Sequence, residues 1–408
     1  MYLHFSKSNA LRELKNNNNL IYNWSSKTSE ADDLIPLGEF KRINLFVGSN
    51  NSGKSRFLRA IIKSNFTNQI QISVNENDFQ KIVIDFNAEF KTSYRVLQSR
   101  RQVARILNEL NNLIPKDIIN LSVQKNDFQE DLIKEIEHRI KNLSNGLTKR
   151  EKTEIIGFSE RAVELIEFSL FVKKSYPNSK NYIPILRSVH EISGHLNDGN
   201  LKEVVKNNYE ISQNVFTGLE LFKTILRLKN SSSLQRKSVK KFEEFLSKNF
   251  FNGKTIELTS NTEKNELLFA VNDEEYPIYH LGDGIQSLII LLFPIFTAKK
   301  NDWFFIEEPE TNLHPGLQRV FIETLLNDEY LNSKNLKYFF TTHSNHFLDT
   351  SIQSENISIF QFEKQEDNTF YIKTNVKPEK EVLDVLGVNT SSVFLSNTSL
   401  WVEGPTDR

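Results

Sequence analysis

The stretch GSNNSGKS (residues 48–55) lies between an apolar segment and a segment whose apolar residues recur at helical spacing. The preceding segment FKRINLFV (40–47) predicts a buried strand, because its apolar run is short and bounded by turn residues. The following segment KSRFLRAIIKSN (54–65) predicts a helix. Strand, glycine-containing loop and helix follow one another in the order of a phosphate-binding loop. The stretch therefore predicts an α/β fold with a nucleotide site.

The loop fits the pattern G-x-x-x-x-G-K-[ST], although a Ser/Asn-rich turn could match it by chance. Glycines let backbone N–H groups converge on phosphate oxygens, and the positive end of the following helix points to the same place. Lys54 is expected to contact the β- and γ-phosphates, and the Ser55 hydroxyl is expected to bind Mg²⁺. The residues predicted to bind ATP are Gly48, Asn50, Asn51, Ser52, Gly53, Lys54 and Ser55.

The composition narrows the class of protein. A length of 408 residues favours two or three domains. The 51 Lys and Arg residues nearly cancel the 52 Asp and Glu residues, so no overall charge attracts the protein to nucleic acid or lipid. The absence of cysteine excludes disulfides, thiolate catalysis and cysteine-bound metals. The longest apolar run, LIILLFPIF (288–296), is too short to span a bilayer. We therefore expect a soluble cytoplasmic protein without a membrane partner.

Strand and helix patterns alternate in the second half of the chain. WFFIEE (303–308) and KYFFTT (337–342) predict buried strands, and PGLQRVFIETLLNDEYL (315–331) predicts the helix between them. This alternation favours a mostly parallel sheet with helices on both faces. NISIFQF (356–362) and TFYIKT (369–374) predict an antiparallel β extension.

The middle of the chain has a different character, with charged segments of helical period. We predict an ATPase core from residues 1–65 and 250–395, and a mainly helical insertion over 66–249. Two basic stretches, RVLQSRRQVAR (95–105) and QRKSVKKFEEFLSK (235–248), are candidates for a surface that binds nucleic acid or a partner. The alternative is that these charges lie on ordinary solvated helix faces.

Two consecutive carboxylates, Glu307 and Glu308, follow the apolar run WFFI. Adjacent strand residues point to opposite sides, so the two can serve two roles. We assign Glu307 to the Mg²⁺ shell, in part through water, and Glu308 to the attacking water as general base. The alternative is an acidic surface cluster.

His343 follows the next predicted strand, in YFFTTHSNHF. At that strand end its imidazole could contact the γ-phosphate, and we predict a catalytic role for it with Glu308. The nearby His346 is expected to be structural or exposed.

These pieces resemble the ABC-type ATPase heads of structural-maintenance, recombination and repair proteins. The glycine-rich loop, LGDGIQSL (281–288), EEPETNLHP (307–315) and TTHSNHF (341–347) occur in that family's order. The resemblance implies an ABC-type P-loop head, with ATP and Mg²⁺ as substrate and cofactor. It also implies a homodimer or higher homo-oligomer, in which the signature loop of one protomer closes over the ATP of another.

Gly282, Asp283 and Gly284 match that signature loop. The serine usual in the family is Gly282 here, so a hydroxyl contact to the γ-phosphate is absent and we expect slow turnover. Asn312 to His314 match the loop that communicates across the dimer. YIPILRS (182–188) takes the place of the family's glutamine loop, with Arg187 expected to face the nucleotide.

The segment VFLSNTSLWVEGPTDR (393–408) resembles the opening of a TOPRIM nuclease domain. In the overcoming-lysogenisation-defect (OLD) family an ABC-type ATPase precedes such a domain. The resemblance makes residues 396–408 the start of TOPRIM and Glu403 the first acidic residue of its metal centre. We expect the 408 residues to be part of a longer nuclease and not to cut DNA alone.

The favoured hypothesis is an ATP-hydrolysing dimerisation module that gates a DNA nuclease in bacterial anti-phage defence. DNA is its expected partner, with a defence-system protein or RNA as further candidates. Two alternatives stay open: an ABC ATPase switch that holds or releases a partner protein, and a DNA-repair ATPase of the recombination type. A small-molecule kinase is disfavoured by the signature loop and His343.

Overall fold

The computed structural model describes residues 1–16, 19–25, 34–66, 69–73, 79–114, 128–143, 147–189, 198–264, 266–272, 274–352, 354–374 and 376. The strands are β1 (Tyr2–Ser6), β2 (Lys15–Asn16), β3 (Asn19–Leu20), β4 (Tyr22–Asn23), β5 (Leu34–Leu37), β6 (Ile43–Val47), β7 (Ile70–Ser73), β8 (Lys180–Ile183), β9 (Asn214–Val215), β10 (Ile256–Asn261), β11 (Glu266–Val271), β12 (Glu274–Pro277), β13 (Trp303–Glu307), β14 (Lys337–Thr342), β15 (Ile357–Lys364) and β16 (Phe370–Lys373). The helices are α1 (Lys54–Lys63), α2 (Phe79–Leu97), α3 (Arg101–Leu113), α4 (Phe128–Leu143), α5 (Lys149–Ser175), α6 (Asp198–Tyr209), α7 (Leu221–Lys229), α8 (Ser233–Phe250), α9 (Asp283–Thr297), α10 (Pro315–Asn327), α11 (Glu329–Asn332) and α12 (Asn345–Ile352), with short 3-10 turns at Arg12–Leu14 and Ile278–His280.

The described residues form two compact units. One comprises those within 1–40 and 64–178, and the other comprises those within 41–63 and 179–408. The predicted insertion over 66–249 therefore contains parts of both units. Its boundaries as a separately folding domain stay a prediction.

The second unit contains the main sheet, with its strands in the order β16-β15-β6-β14-β13-β8-β9. All neighbours from β15 to β9 are parallel, and β16 pairs antiparallel with β15. The predicted α/β fold with a mostly parallel sheet and antiparallel strands is confirmed. Two strands of this sheet were not predicted: β8, which lies next to β13, and β9, which lies next to β8, both come from the charged region assigned to the helical insertion.

The central strand β6 is buried along its whole length, as its continuous apolar sequence INLFV predicts. Parallel strands β14 and β15 flank it on both sides. On α1, Phe57 packs edge-on against Phe46 of β6, with ring centroids 5.8 Å apart. The phosphate-loop helix is thereby fixed to the middle of the sheet.

Helix α9 supplies much of the second unit's core, since its residues from Gln286 to Phe293 are all buried. Phe293 and Phe296 pack against Phe242 of α8, each with ring centroids 5.3 Å away. Strands β10, β11 and β12 form a separate antiparallel sheet in the same unit. The apolar body of α9 is anchored, whereas Gly282 and Asp283 at its amino end are exposed.

The first unit has its own sheet and helical core. Strands β5, β1 and β7 pair antiparallel, and helices α2 to α5 enclose a cluster that includes Phe86, Phe158 and Leu165. Helix α5 begins with a capping box between Thr148 and Glu151, which satisfies two backbone N–H groups. In the described part of the chain, none of the helices is both long and apolar enough to cross a bilayer.

Candidate nucleotide site

The loop between β6 and α1 has the backbone of a phosphate-binding loop. Gly48, Asn51 and Gly53 all have positive φ, at 151°, 62° and 89°. A Cβ atom at Gly48 would lie 2.4 Å from the Phe362 carbonyl oxygen and 2.8 Å from Ser52 Oγ, so only glycine fits there. The loop then leads into the amino end of α1, where free N–H groups favour an anion.

Lys54 is buried inside this loop. Its Nζ donates hydrogen bonds to the carbonyl oxygens of Gly48 at 2.7 Å and Ser49 at 2.8 Å. Burial lowers the pKa of Lys54 to about 8, and the charges of Glu308 and Glu310 oppose that shift. The structure thus holds a cation among main-chain groups of the loop, with carboxylates nearby.

Parallel pairing brings three predicted segments together. In the register of the sheet, Val47 pairs with Thr342 on β14, and Glu307 pairs with Thr341. The carboxyl ends of β6, β14 and β13 therefore meet at one edge, which is where ligands bind in parallel α/β sheets. The glycine-rich loop, the carboxylates and His343 all emerge there.

Glu307 is buried at the end of β13 and is held by two donors on the same oxygen. Its Oε1 accepts hydrogen bonds from Arg59 Nη1 of α1 and from the Tyr182 hydroxyl at 2.8 Å. The Arg59 guanidinium also lies 4.2 Å from the centre of the Tyr209 ring. Burial raises the pKa of Glu307, and Arg59 and Tyr182 oppose that rise.

Ser55 and Glu307 are the residues predicted to bind Mg²⁺. Within the described residues, no group of three or more His, Asp or Glu side chains could hold a metal alone. In phosphate sites Mg²⁺ is bound mainly by phosphate and water, with few protein ligands. Ser55 is half-buried, and one oxygen of Glu307 lies outside the contacts with Arg59 and Tyr182. The donor chemistry is compatible with the metal.

Glu308 has a left-handed backbone, with φ of 43°. Its N–H donates to the Thr341 carbonyl oxygen at 2.9 Å, and its own carbonyl accepts from Arg187 Nη2 at 2.7 Å. His343 Nε2 lies 3.9 Å from Glu308 Oε1, so the predicted catalytic pair is adjacent without a direct hydrogen bond. Burial, followed by the charge of Lys54, lowers the pKa of His343, and this favours a neutral imidazole.

Glu310 is a third carboxylate of this cluster and was not among the predicted site residues. Its Oε1 accepts from the Thr342 hydroxyl at 2.9 Å and from the main-chain N–H of His343 at 2.7 Å. Its Oε2 is buried without a hydrogen-bond partner in the described structure, and burial raises the pKa of Glu310. Its place as the third glutamate of EEPE (307–310) is the sequence feature that could have identified it as a site residue.

Arg59 and Tyr182 were also missed, for different reasons. Arg59 lies four residues after Ser55, on the same face of α1, and this spacing could have drawn attention to it. Tyr182 belongs to β8, which was not predicted as a strand because the sequence around it is charged and of helical period. Arg187, expected to face the nucleotide, donates to the main-chain oxygens of Glu307 and Glu308.

The signature residues are at the amino end of α9. Gly282 precedes the helix, and a Cβ atom there would meet nothing within 4 Å. At Gly284 a Cβ atom would lie 3.1 Å from the Asn312 carbonyl oxygen, so this glycine packs against the loop that follows the carboxylates. His346 is exposed, as expected. Glu403 lies outside the described residues.

The fold and the loop define a P-loop ATPase. The sequence model of the AAA ATPase domain family matches residues 33–348, and the chain belongs to this family. Membership of this family supports ATP binding and ATPase activity for the chain. A search of curated proteins finds no match. The assignments to individual site residues stay predictions.

We predict that ATP binding weakens as the pH rises through about 8. Lys54 carries its charge below its pKa of about 8 and loses it above that value, so the dissociation constant should rise about fivefold to tenfold between pH 8 and pH 9. Arginine keeps its charge over this range, so Lys54→Arg should abolish the pH dependence even if it binds less tightly. Titration with a fluorescent nucleotide measures both proteins, and equal pH dependence would assign the effect to another group.

We also predict that the contact between Arg59 and Glu307 stabilises the fold. Arg59→Met leaves a buried carboxylate unpaired and should lower the free energy of unfolding by about 3 to 5 kcal/mol. Tyr182→Phe removes one hydrogen bond to the same oxygen and should cost about 1.5 to 3 kcal/mol. Urea unfolding checks both, with Arg319→Met in an exposed ion pair as the matched control. A loss in Arg59→Met no larger than in the control would contradict the prediction.

Proposed function

We propose that the protein is an ATP-driven association switch, in which Mg²⁺-ATP bound to one copy is closed over by the signature loop of a second copy. The observation that carries this proposal is the exposed amino end of α9. Its glycine-rich backbone is accessible, while the rest of the helix is fixed in the core. Free N–H groups at a helix start suit the phosphates of a nucleotide on a facing protomer.

Hydrolysis in this proposal relies on Glu308. The Glu308 carboxylate takes a proton from the attacking water, whose oxygen forms a bond to the γ-phosphorus as the bond to the ADP oxygen breaks. Lys54 offsets negative charge on the phosphates, and His343 contacts the γ-phosphate from the end of β14. Mg²⁺, held by Ser55 and in part through water by Glu307, would neutralise phosphate charge when bound.

The switch is proposed to gate a DNA nuclease in anti-phage defence. Support for this part is the resemblance of residues 393–408 to the opening of TOPRIM in the OLD family. A repair ATPase, or a switch that holds a partner protein, is the second candidate, favoured by the basic stretch on α8, where Arg236, Lys237, Lys240 and Lys241 are exposed. Protein expressed from its native locus can separate these proposals. Metal-dependent plasmid cleavage that is lost in Glu403→Ala supports the nuclease, and ATP-dependent association without cleavage favours the second candidate.

Glu308→Gln is predicted to retain Mg²⁺-ATP but to lose turnover, because an amide cannot accept the proton of the attacking water. A loss of about 10²- to 10⁴-fold in the catalytic rate constant is expected. Phosphate release measures turnover and calorimetry measures binding, with Glu323→Gln as a distant control. Turnover at the original rate would exclude Glu308 as the base and make Glu307 the next candidate.

Gly282→Arg is predicted to weaken ATP-dependent association while leaving ATP binding to the single copy intact. The position is open within its own chain, so the arginine should interfere only with a facing protomer. Gly284→Arg should also weaken association, but its contact with the Asn312 carbonyl would disturb the protein's own loop. Sedimentation with and without ATP measures the effect, with Gln235→Arg on α8 as a surface control. Unchanged ATP-dependent association in Gly282→Arg would remove the signature loop from the interface.

A further inference from the structure

Arg187 lies where the main-chain pairing between β8 and β13 stops. The register of the two parallel strands ends at Ile306 opposite Ile183, and the next residue of the β8 chain is Pro184. Beyond this pair, the carbonyl groups of Glu307 and Glu308 accept hydrogen bonds from donors outside the β8–β13 ladder.

The Arg187 side chain supplies these donors. Nη1 donates to the carbonyl oxygen of Glu307 at 2.9 Å, and Nη2 donates to that of Glu308 at 2.7 Å. Nη1 also donates to the carbonyl oxygen of Pro184 at 3.1 Å, which ties the guanidinium to its own loop. The loop is fixed in turn, because the Ser188 N–H donates to the Thr217 carbonyl at 2.8 Å. A rigid planar group thus spans two consecutive carbonyls.

The second of these carbonyls belongs to a strained residue. Glu308 has φ of 43°, in the left-handed region that residues other than glycine occupy at a cost. Such a conformation persists only when the surroundings hold it. Three groups contact its main chain here: the Glu308 N–H donates to the Thr341 carbonyl, and the Glu308 carbonyl accepts from the Thr311 N–H at 3.1 Å and from Arg187. The direction of the Glu308 side chain depends on this backbone.

We propose that Arg187 is a positioning residue for ATP hydrolysis, whose guanidinium fork holds Glu308 in the left-handed conformation that aims its carboxylate at the attacking water. The inference rests on the proposed role of Glu308 as general base. It differs from a direct contact with the nucleotide, because the planar fork is occupied by main-chain oxygens of Pro184, Glu307 and Glu308. The two terminal nitrogens of this planar group contact three carbonyl oxygens at a fixed spacing, which the single ammonium of lysine does not reproduce.

The first test compares Arg187→Lys with the unaltered protein. Lysine keeps the positive charge near the phosphates but lacks the planar pair of nitrogens that contacts the Pro184, Glu307 and Glu308 carbonyls, so the catalytic rate constant should fall about tenfold to a hundredfold. The dissociation constant for Mg²⁺-ATP should stay within about twofold, because Arg187 makes no hydrogen bond to loop residues 48–55 in the described structure. Arg161→Lys, at an exposed arginine paired with Glu164 in the first unit, is the matched control. Unchanged turnover in Arg187→Lys, or a parallel loss of binding and thermal stability, overturns the proposal.

The second test is a double-mutant cycle with Glu308→Gln, measured in single turnovers with enzyme in excess. If Arg187 acts through Glu308, adding Arg187→Lys to Glu308→Gln should slow hydrolysis by less than about twofold. A further tenfold loss in that background would show an independent role and overturn the proposal. If the background rate is too slow to detect, the comparison of Arg187→Lys with Arg161→Lys decides. Full turnover in Glu308→Gln alone would instead refute the base assignment, which is a separate outcome.

Discussion

The parallel pairing of β6 with β14, and of β14 with β13, is the constraint on which the site depends. It brings three carboxyl strand ends to one edge, although their sequences lie up to about 300 residues apart. Because the strands are parallel, the glycine-rich loop, the glutamates and His343 all leave the sheet in the same direction. Burial of β6 on both faces fixes this arrangement, since a shift in its register would displace the loop relative to both neighbours.

Charge balance is the second organising feature. Glu307, Glu308 and Glu310 crowd one strand end, and the cations Lys54, Arg59 and Arg187 face them from other segments. Burial of these groups is costly unless each finds partners, and the pairing of Arg59 with Glu307 offsets part of that cost. Burial lowers the pKa of Arg187 to about 10, still well above neutral pH, so it remains a cation. The same low-polarity surroundings strengthen each electrostatic contact that a nucleotide would make.

The two consecutive glutamates perform different physical tasks despite their adjacency. Glu307 completes β13 and is fixed through its side chain by Arg59 and Tyr182. Glu308 follows the strand and is fixed through its main chain by Thr341 and Arg187. Glu308, held through its backbone, keeps its carboxylate available for proton transfer, whereas Glu307 has one oxygen fixed by Arg59 and Tyr182 and the other outside these contacts. The difference supports the distinct roles proposed for them.

The sequence by itself determined the phosphate loop, the three strands that converge on the site and the parallel sheet, because each depends on local patterns of apolar residues and glycines. It also identified Glu307, Glu308 and His343, since each directly ends or follows an apolar strand. Only the tertiary structure decided what those side chains contact. Strand β8 was hidden in a charged region, and its place beside β13 comes from long-range pairing that its own four residues do not encode. Arg59, Tyr182 and Arg187 gain their roles from partners more than 100 residues away, which local periodicity cannot predict.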